Sequence, residues 1–568
     1  MLKKLPYGKS DFKDVKTEGY YYIDKTDFIP KIENSSDFLF FLRPRRFGKS
    51  LLISMLEAYY DIYYKEQFNE IFKDTYILTN PTPLKSSFYI MRFDFSGIDI
   101  TDYKNSFRVN LLNTIDSFLK KYDIELIFRD DNPIHQLDYL FKYFSRNNLS
   151  LYILIDEYDS FVNKLLVNNI ESYKDIVTTN EAIYKQLFTT FKVGTSGNDS
   201  AIKKMFFTGV SPLALYDVTS GSNIGKNLSL EYHFNNIVGI TRAELEKMIN
   251  YYSLDKFREL IYERCDEWYD SYRFNEDIKH TIYNADMILY YLDSIINNRK
   301  EPKNLIDINV RTDYTKLRYL VYSDKKLNGN FEILNSLING EKRTLDVLRD
   351  SFSAFELKKV ENFISFLFSL GFVTIKKDRF RISLSIPNQT IQKIMADFID
   401  YAYKAMEFYP PVYKLNELVA DFATDKKFDM FYFLHHEIKK NSSIRDYISQ
   451  EAHVKASLIT YFCQNNYYEV RSEVEANKGY IDILLNPIQD EMSYGAIIEV
   501  KYLTKKEYSD DTLKEKIQEA KNQLDQYDVE IRGKNLKKGV EFIKVILVYK
   551  TWELVHCEEY ENPLFHIN

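Results

Sequence analysis

Continuous apolar runs bounded by polar turns recur through the N-terminal part of the chain. Residues 38–42, Phe-Leu-Phe-Phe-Leu, carry no polar side chain, as a strand buried on both faces requires. Residues 88–95, 149–155 and 204–208 read the same way, with helical stretches between them. Strand alternating with helix predicts a parallel sheet within an α/β domain over residues 1–253. Residues 254–387 have mainly helical spacing and end in two strand-like runs, 372–376 and 380–384, around a Lys-Asp-Arg turn. Helices followed by a hairpin predict a winged-helix-like lid, domain 254–400, although a plain helical linker has the same pattern. Pro410-Pro411 resists helix and marks a boundary. In the last domain, 401–568, helices give way to strands at 480–485 and 496–500, a helix at 513–527 and a strand at 543–549. The expected fold class is α/β multidomain, with no internal repeat.

Composition narrows the function classes. Of 568 residues, 45% are hydrophobic and 28% charged, which excludes wholesale disorder. Only 17 Gly and 13 Pro exclude collagen-like and low-complexity chains. The cysteines, Cys265, Cys463 and Cys557, form no Cys-x-x-Cys pair, which argues against a disulfide framework or zinc site and suits a reducing cytoplasm. The N-terminus lacks the apolar core of a signal peptide. The longest apolar stretch, 363–375, is broken by Ser365, Ser369, Gly371 and Thr374 and is too short to span a bilayer, so no membrane partner is expected. A net charge of −7 argues against a protein coated in basic surface but leaves room for a local basic groove.

Directly after the run 38–42 stands Arg43-Pro-Arg-Arg-Phe-Gly-Lys-Ser50, and a helical segment follows. This is the phosphate-loop pattern Gly-x4-Gly-Lys-Ser/Thr with Arg43 in place of the first glycine. A helix N-terminus offers free N–H groups and a positive dipole to phosphate. Gly48 allows close approach, Lys49 reaches the β- and γ-phosphates, and the Ser50 hydroxyl binds Mg2+. The nucleotide-binding segment is Arg46, Phe47, Gly48, Lys49, Ser50 and Leu51. A chance Gly-Lys-Ser is the plain alternative. A second strand ends in Asp156-Glu157: in P-loop ATPases such an Asp holds the magnesium shell and a following Glu polarises the attacking water. Thr208 ends a further strand and either senses the γ-phosphate or terminates the strand.

The C-terminal domain carries Gly479-Tyr-Ile-Asp482-Ile-Leu-Leu485 and then Ala496-Ile-Ile-Glu499-Val-Lys501. Alternation puts Glu499 and Lys501 on one strand face, with Asp482 on a neighbouring strand if the two pair. Paired carboxylates hold a hard cation such as Mg2+, and the lysine positions the nucleophile or neutralises charge. This is the Asp-x(n)-Glu-x-Lys nuclease signature; a solvated salt bridge is the bland alternative. Glu475 precedes the first strand as a third metal-ligand candidate. Gln523 interrupts the apolar stripe Ile517, Ala520, Leu524, Tyr527 of its helix and needs a polar partner. Lys505, Lys506, Arg532, Lys534, Lys537 and Lys538 flank the site and could track a phosphate backbone or face solvent.

Together these residues resemble the bacterial AAA-ATPase-like proteins with a C-terminal PD-(D/E)XK nuclease-superfamily domain. Tyr22-Ile-Asp-Lys-Thr26, the degenerate loop 43–50, Thr208-Gly-Val-Ser211 and Ile386-Pro-Asn388 are similar to family motifs. So is Trp268-Tyr-Asp-Ser-Tyr-Arg-Phe274, with Ser271 where glycine is usual. Glu475, Gly479, Asp482, Glu499, Lys501, Gln523 and Tyr527 fall on nuclease-family positions, with Tyr480 where arginine is usual. The resemblance implies a P-loop NTPase parallel sheet, a helical or winged-helix-like lid and a restriction-endonuclease-like α/β domain. It implies ATP and Mg2+ as cofactors and nucleic acid as partner, DNA ahead of RNA. Glu157 would serve ATP hydrolysis; Asp482, Glu499, Lys501 and Gln523 would serve cleavage; Ser50, Asp156, Glu475, Asp482 and Glu499 would be metal ligands. The rival reading is a nucleotide-gated switch that binds nucleic acid or a partner without cutting. Many P-loop ATPases act as rings, so a homo-oligomer is left open.

Overall fold

The structure is a computed structural model. It describes residues 2–179, 182–197, 200–213, 217, 225–315, 329–378, 380–476, 479–489, 491–527, 536–537 and 539–561. The chain folds into two compact units: Met1–Asp313 with Leu345–Ile382, and Tyr314–Thr344 with Ser383–Asn568.

The first unit is built on strands β1 (Phe38–Leu42), β2 (Tyr89–Asp94), β3 (Leu151–Asp156), β4 (Ile202–Gly209) and the two-residue β5 (Lys226–Asn227). They form one sheet in the order β2-β3-β4-β1-β5, every neighbouring pair parallel. Every side chain of β3 is buried, which explains its unbroken Leu-Tyr-Ile-Leu-Ile run. Helix α1 (Lys49–Tyr60) follows β1, and helices Tyr103–Lys121 and Pro133–Arg146 connect β2 to β3. The order sets β4 between β3 and β1, so the chain ends of these three strands lie side by side. Ligands of parallel α/β sheets bind at that edge.

Short strands β6 (Arg343–Leu345), β7 (Thr374–Asp378) and β8 (Arg381–Ser385) follow. The latter two stand where the sequence predicts a hairpin; Arg379 of its turn lies outside the described residues.

The second unit carries a five-stranded sheet of β9 (Tyr468–Ala476), β10 (Gly479–Pro487), β11 (Tyr494–Leu503), β12 (Glu541–Lys550) and β13 (Glu553–Glu559). Their order is β13-β12-β11-β10-β9, antiparallel except for β11 and β12. The parallel pair needs a crossover, and helix α3 (Asp510–Gln526) lies in it. Ala520 and Leu524 of that helix, with Tyr527 just beyond it, pack on Ile481, Leu484, Ile497 and Ile546 of the sheet. Helix α2 (Glu451–Phe462) precedes β9 and is buried along most of its length.

Candidate functional site

In the first unit the loop between β1 and α1 is held by the residue that departs from the glycine pattern. Arg43 is 1% exposed. Its guanidinium donates to the carbonyls of Leu42 (2.9 Å), Ser229 (2.6 Å) and Phe234 (3.1 Å), and lies over the rings of Phe41 and Phe274. An arginine here ties the loop to the body of the unit, where glycine would only leave it free. Gly48 caps α1 with φ 101°, a conformation glycine adopts without a Cβ penalty. Arg46 also has positive φ, 68°, with its guanidinium 3.6 Å from the Asp286 carboxylate. Phe47 is buried edge-on against Tyr272 and Phe274. The Lys49 ammonium is buried and donates to the carbonyls of Arg43 and Pro44, both at 3.0 Å. Burial pulls Lys49 below the ordinary lysine value, while Glu157, Asp156 and Asp159 pull it back up. Ser50 is the second residue of α1. Gly48 and Leu51 border an apolar cleft of about 640 Å³, its open mouth included, with Tyr22, Met55, Met248 and Leu289.

Across the sheet edge, one Asp156 oxygen accepts the Thr208 hydroxyl at 2.7 Å and the Glu157 N–H at 3.1 Å. The other stands 3.6 Å from the Arg92 guanidinium, which reaches Glu57 of α1 at 3.2 Å. Glu157 has φ 49°, a conformation that costs a non-glycine residue energy and turns it out of the strand direction. Buried Asp159 accepts the N–H groups of Val210 (3.2 Å) and Ser211 (2.6 Å) and the Asn163 amide (2.7 Å). That clamps the loop after β3 to the loop after β4. A Cβ on Gly209 would run into Tyr158 and come within 2.6 Å of Asp159 Oδ1, which is why glycine follows Thr208. The arrangement suits Mg-nucleotide: a cation from the loop, a hydroxyl at the helix start, and a carboxylate pair opposite. If Glu157 orients the attacking water, Glu157→Gln keeps ATP bound and slows turnover by about two orders of magnitude or more. Turnover at the wild-type rate in a phosphate-release assay would make the acidic pair structural.

In the second unit β10 and β11 pair antiparallel up to Ile483 opposite Ile498, and the same register continued would set Asp482 opposite Glu499. Strand β11 pairs with β12 without a break from Tyr494 to Leu503, so Glu499 and Lys501 share a face. Lys501 donates to Glu499 at 2.6 Å, and all three side chains are buried. Asp482 accepts the Val500 N–H at 2.8 Å on one oxygen and the Lys455 ammonium at 2.8 Å on the other. Lys455 of α2 also donates to Glu473 of β9 at 2.5 Å. The Tyr527 hydroxyl stands 3.5 Å from Glu499 and donates to the Tyr480 carbonyl at 2.8 Å. Burial, and then the Asp482 charge, push the Glu499 carboxyl up to about 8, against the pull of Lys501. Burial and Asp482 also raise Glu451, one turn before Lys455 on α2.

The structure therefore brings Asp482, Glu499 and Lys501 together. Glu475 is exposed, opposite Tyr480 across the β9–β10 ladder, and has no described contact with Asp482 or Glu499. Gln523 lies one turn before Tyr527, and its buried Oε1 has no hydrogen-bond partner among the described residues. Lys505 and Lys506 are exposed, Lys537 donates to the Ile488 carbonyl, and Arg532, Lys534 and Lys538 lie outside the described residues. Among the described residues no group of three or more His, Cys, Asp or Glu is placed to hold a metal ion. The buried pair Asp482–Glu499 still fits a divalent cation: both donors are hard oxygens, and burial beside the Asp482 charge makes Glu499 reluctant to ionise, which a bound cation would relieve.

The raised Glu499 group sets a sign for stability. Its proton is held more tightly in the folded state than at the ordinary value of 4.5, so its contribution is full below that pH and is lost as pH rises towards 8. Metal-free protein should melt at lower temperature at pH 9 than at pH 6, and Glu499→Gln should flatten that slope. An equal slope in the variant would remove Glu499 as its source.

Sequence reasoning missed Lys455, Glu451 and Glu473 here, and Arg92 and Asp159 in the first unit. The four-residue spacing of Glu451 and Lys455 was the one available signal, since it puts both on one helix face.

Fold and sites together give an ATPase-like region with a phosphate-loop pattern, joined to a mixed-sheet region with a carboxylate–lysine cluster. Residues 6–219 match the family model described as predicted AAA-ATPase, and residues 449–559 match that of the PD-(D/E)XK nuclease superfamily, so the chain joins these two kinds of region. An uncharacterized protein in the vnfD 5' region of Azotobacter chroococcum mcd 1 is 22% identical over 292 residues, 51% of this chain and 52% of its own. The chain thus spans about half the length of that curated relative. Similar solved structures include the ORC2 protein of Aeropyrum pernix in ADPNP-ADP complexes, at TM-score 0.36 and 11% identity, covering 70% of this chain and 98% of that one. CDC6P of Pyrobaculum aerophilum gives TM-score 0.23 at 11% identity, covering 64% of this chain and 87% of that one. No described helix is long and apolar enough to cross a membrane.

Proposed function

We propose that the protein binds and hydrolyses ATP and uses a metal-dependent nuclease centre on nucleic acid, DNA ahead of RNA. Segment 1–253 would bind the nucleotide, 254–400 would act as its lid, and 401–568 would cut. The observation that carries the reading is the meeting of Asp482, Glu499 and Lys501 in one buried cluster. Asp482 and Glu499 would hold Mg2+, which supplies Lewis acidity and an activated water when bound. The Lys501 ammonium, now on Glu499, would offer its protons to a phosphate oxygen or hold the nucleophile. Gln523, whose buried Oε1 has no partner among the described residues, would turn its amide to substrate or water. Lys49, Ser50, Asp156 and Glu157 would serve ATP in the other unit.

Supercoiled plasmid incubated with Mg2+ or Mn2+ tests this directly. Wild-type protein should nick it, and Lys501→Ala should not. Nicking by neither, with both folded, would leave the nucleotide-gated switch; equal nicking by both would point to a contaminant.

A further inference from the structure

The Asp482–Glu499–Lys501 cluster already holds a second lysine, on Asp482. Lys455 Nζ lies 2.8 Å from Asp482 Oδ1 and 2.5 Å from Glu473 Oε1, and its side chain is 10% exposed. Strand β9 departs from regular strand geometry at Glu473, where it makes this contact. The β9–β10 ladder pairs Ile481 with Val474 and Ile483 with Ser472 but skips the pair between them, Asp482 with Glu473. Glu473 there takes φ 48°. Such a conformation persists in a non-glycine residue only where its surroundings hold it. Here they do: the Ser472 hydroxyl donates to the Ile338 carbonyl at 2.8 Å, and Gly340 leaves room beneath Glu473, where a Cβ would stand 2.8 Å from Glu473 Cβ. A distorted strand thus presents a carboxylate that belongs neither to the Asp482–Glu499 pair nor to Lys501, and its described polar contact is Lys455.

We propose that Lys455 is a displaceable internal counter-ion of the nuclease centre, and that Glu473 is the place it withdraws to when a divalent cation binds Asp482. The inference rests on the reading of Asp482 and Glu499 as metal ligands. Without metal, Lys455 neutralises Asp482, and a buried carboxylate left alone would be costly. With metal, two positive charges cannot share one oxygen at contact distance, so the ammonium must leave Asp482. Glu473 lets it leave without losing a partner. Lys455 is therefore a positioning residue that sets how much free metal the centre needs, and the two residues act with opposite sign. Removing Lys455 removes the competitor, whereas removing the Glu473 charge removes the refuge and fastens Lys455 to Asp482.

Mn2+ binding to the full chain, stripped with a chelator and free of nucleotide and nucleic acid, reads this without any activity. Binding is followed by the loss of the free-ion paramagnetic resonance signal. The part that disappears in Asp482→Ala/Glu499→Ala is assigned to this centre. Lys455→Met should bind roughly tenfold tighter than wild type or more, and Glu473→Gln several-fold weaker, as the release or fastening of a buried ion pair requires. Should Lys455→Met misfold, Lys455→Met/Glu473→Gln removes both charges of the pair together and should still bind tighter than wild type. Equal affinity in wild type and the lysine variants overturns the counter-ion while leaving the metal site standing. Weaker binding on removing Lys455 overturns it too. Absence of any binding that depends on Asp482 and Glu499, in wild type and variants alike, overturns the metal-site reading itself.

Discussion

Lys49→Ala is expected to weaken ATP binding by about two orders of magnitude, the loss of charge-assisted bonds to two phosphates. The buried ammonium now spends its protons on the carbonyls of Arg43 and Pro44 and feels the charges of Glu157 and Asp156. Phosphate oxygens would compete for those protons with full negative charge, which the two carbonyls lack. Alanine also leaves both carbonyls without that donor, at about 1–3 kcal/mol in a buried setting, so part of any loss could be loss of fold. Lys49→Met keeps most of the packing, and a melting curve beside the titration of a fluorescent ATP analogue separates the causes. Affinity within about threefold of wild type, less than 1 kcal/mol, in a folded variant would sink the assignment of this loop to phosphate.

The most legible parts of the fold were the strands that lie between two neighbours in a sheet. β1 and β3 lie inside a parallel sheet, so their residues are apolar in unbroken runs that no loop would carry. β9, Tyr-Glu-Val-Arg-Ser-Glu-Val-Glu-Ala, and β13, Glu-Leu-Val-His-Cys-Glu-Glu, are the sheet edges of the second unit and keep polar side chains, so no apolar run marked them. β5, with two residues, is too short for any period to register. In the candidate sites the same division holds. Glu499 and Lys501 were legible because β11 is regular and a two-residue step fixes their common face. Lys455 was not, because it reaches Asp482 from a helix 27 residues earlier, and α2 is buried almost all round, so only its spacing from Glu451 marked it. That Arg43 departs from the glycine pattern was plain in the sequence. Its reason, a guanidinium over two rings with three carbonyls, exists only in the folded chain.

Asp482→Asn and Glu499→Gln should each lower metal-dependent nicking by at least about a thousandfold, since the Lewis acidity of a well-held cation is worth several kcal/mol and 4 kcal/mol is nearly that factor. Both changes keep shape and remove one charge. They differ in what they leave behind. Asp482 Oδ2 accepts the Val500 N–H, and Asn can keep that bond through its carbonyl, so β10 and β11 should stay paired. Its amide then faces Lys455, which still has Glu473. Glu499→Gln removes a carboxyl that burial and Asp482 make reluctant to ionise, so metal-free protein should gain stability above neutral pH while losing cleavage. Stability and activity moving in opposite directions is what a charge kept for function predicts, and a structural salt bridge predicts the reverse. ATP hydrolysis is the control. Lys49, Asp156 and Glu157 lie in the other compact unit, and neither substitution alters a residue there. Loss of cleavage together with loss of ATP turnover would mean that the variants had unfolded or that the two units share a step. Undiminished nicking in both variants would remove Asp482 and Glu499 from the chemistry.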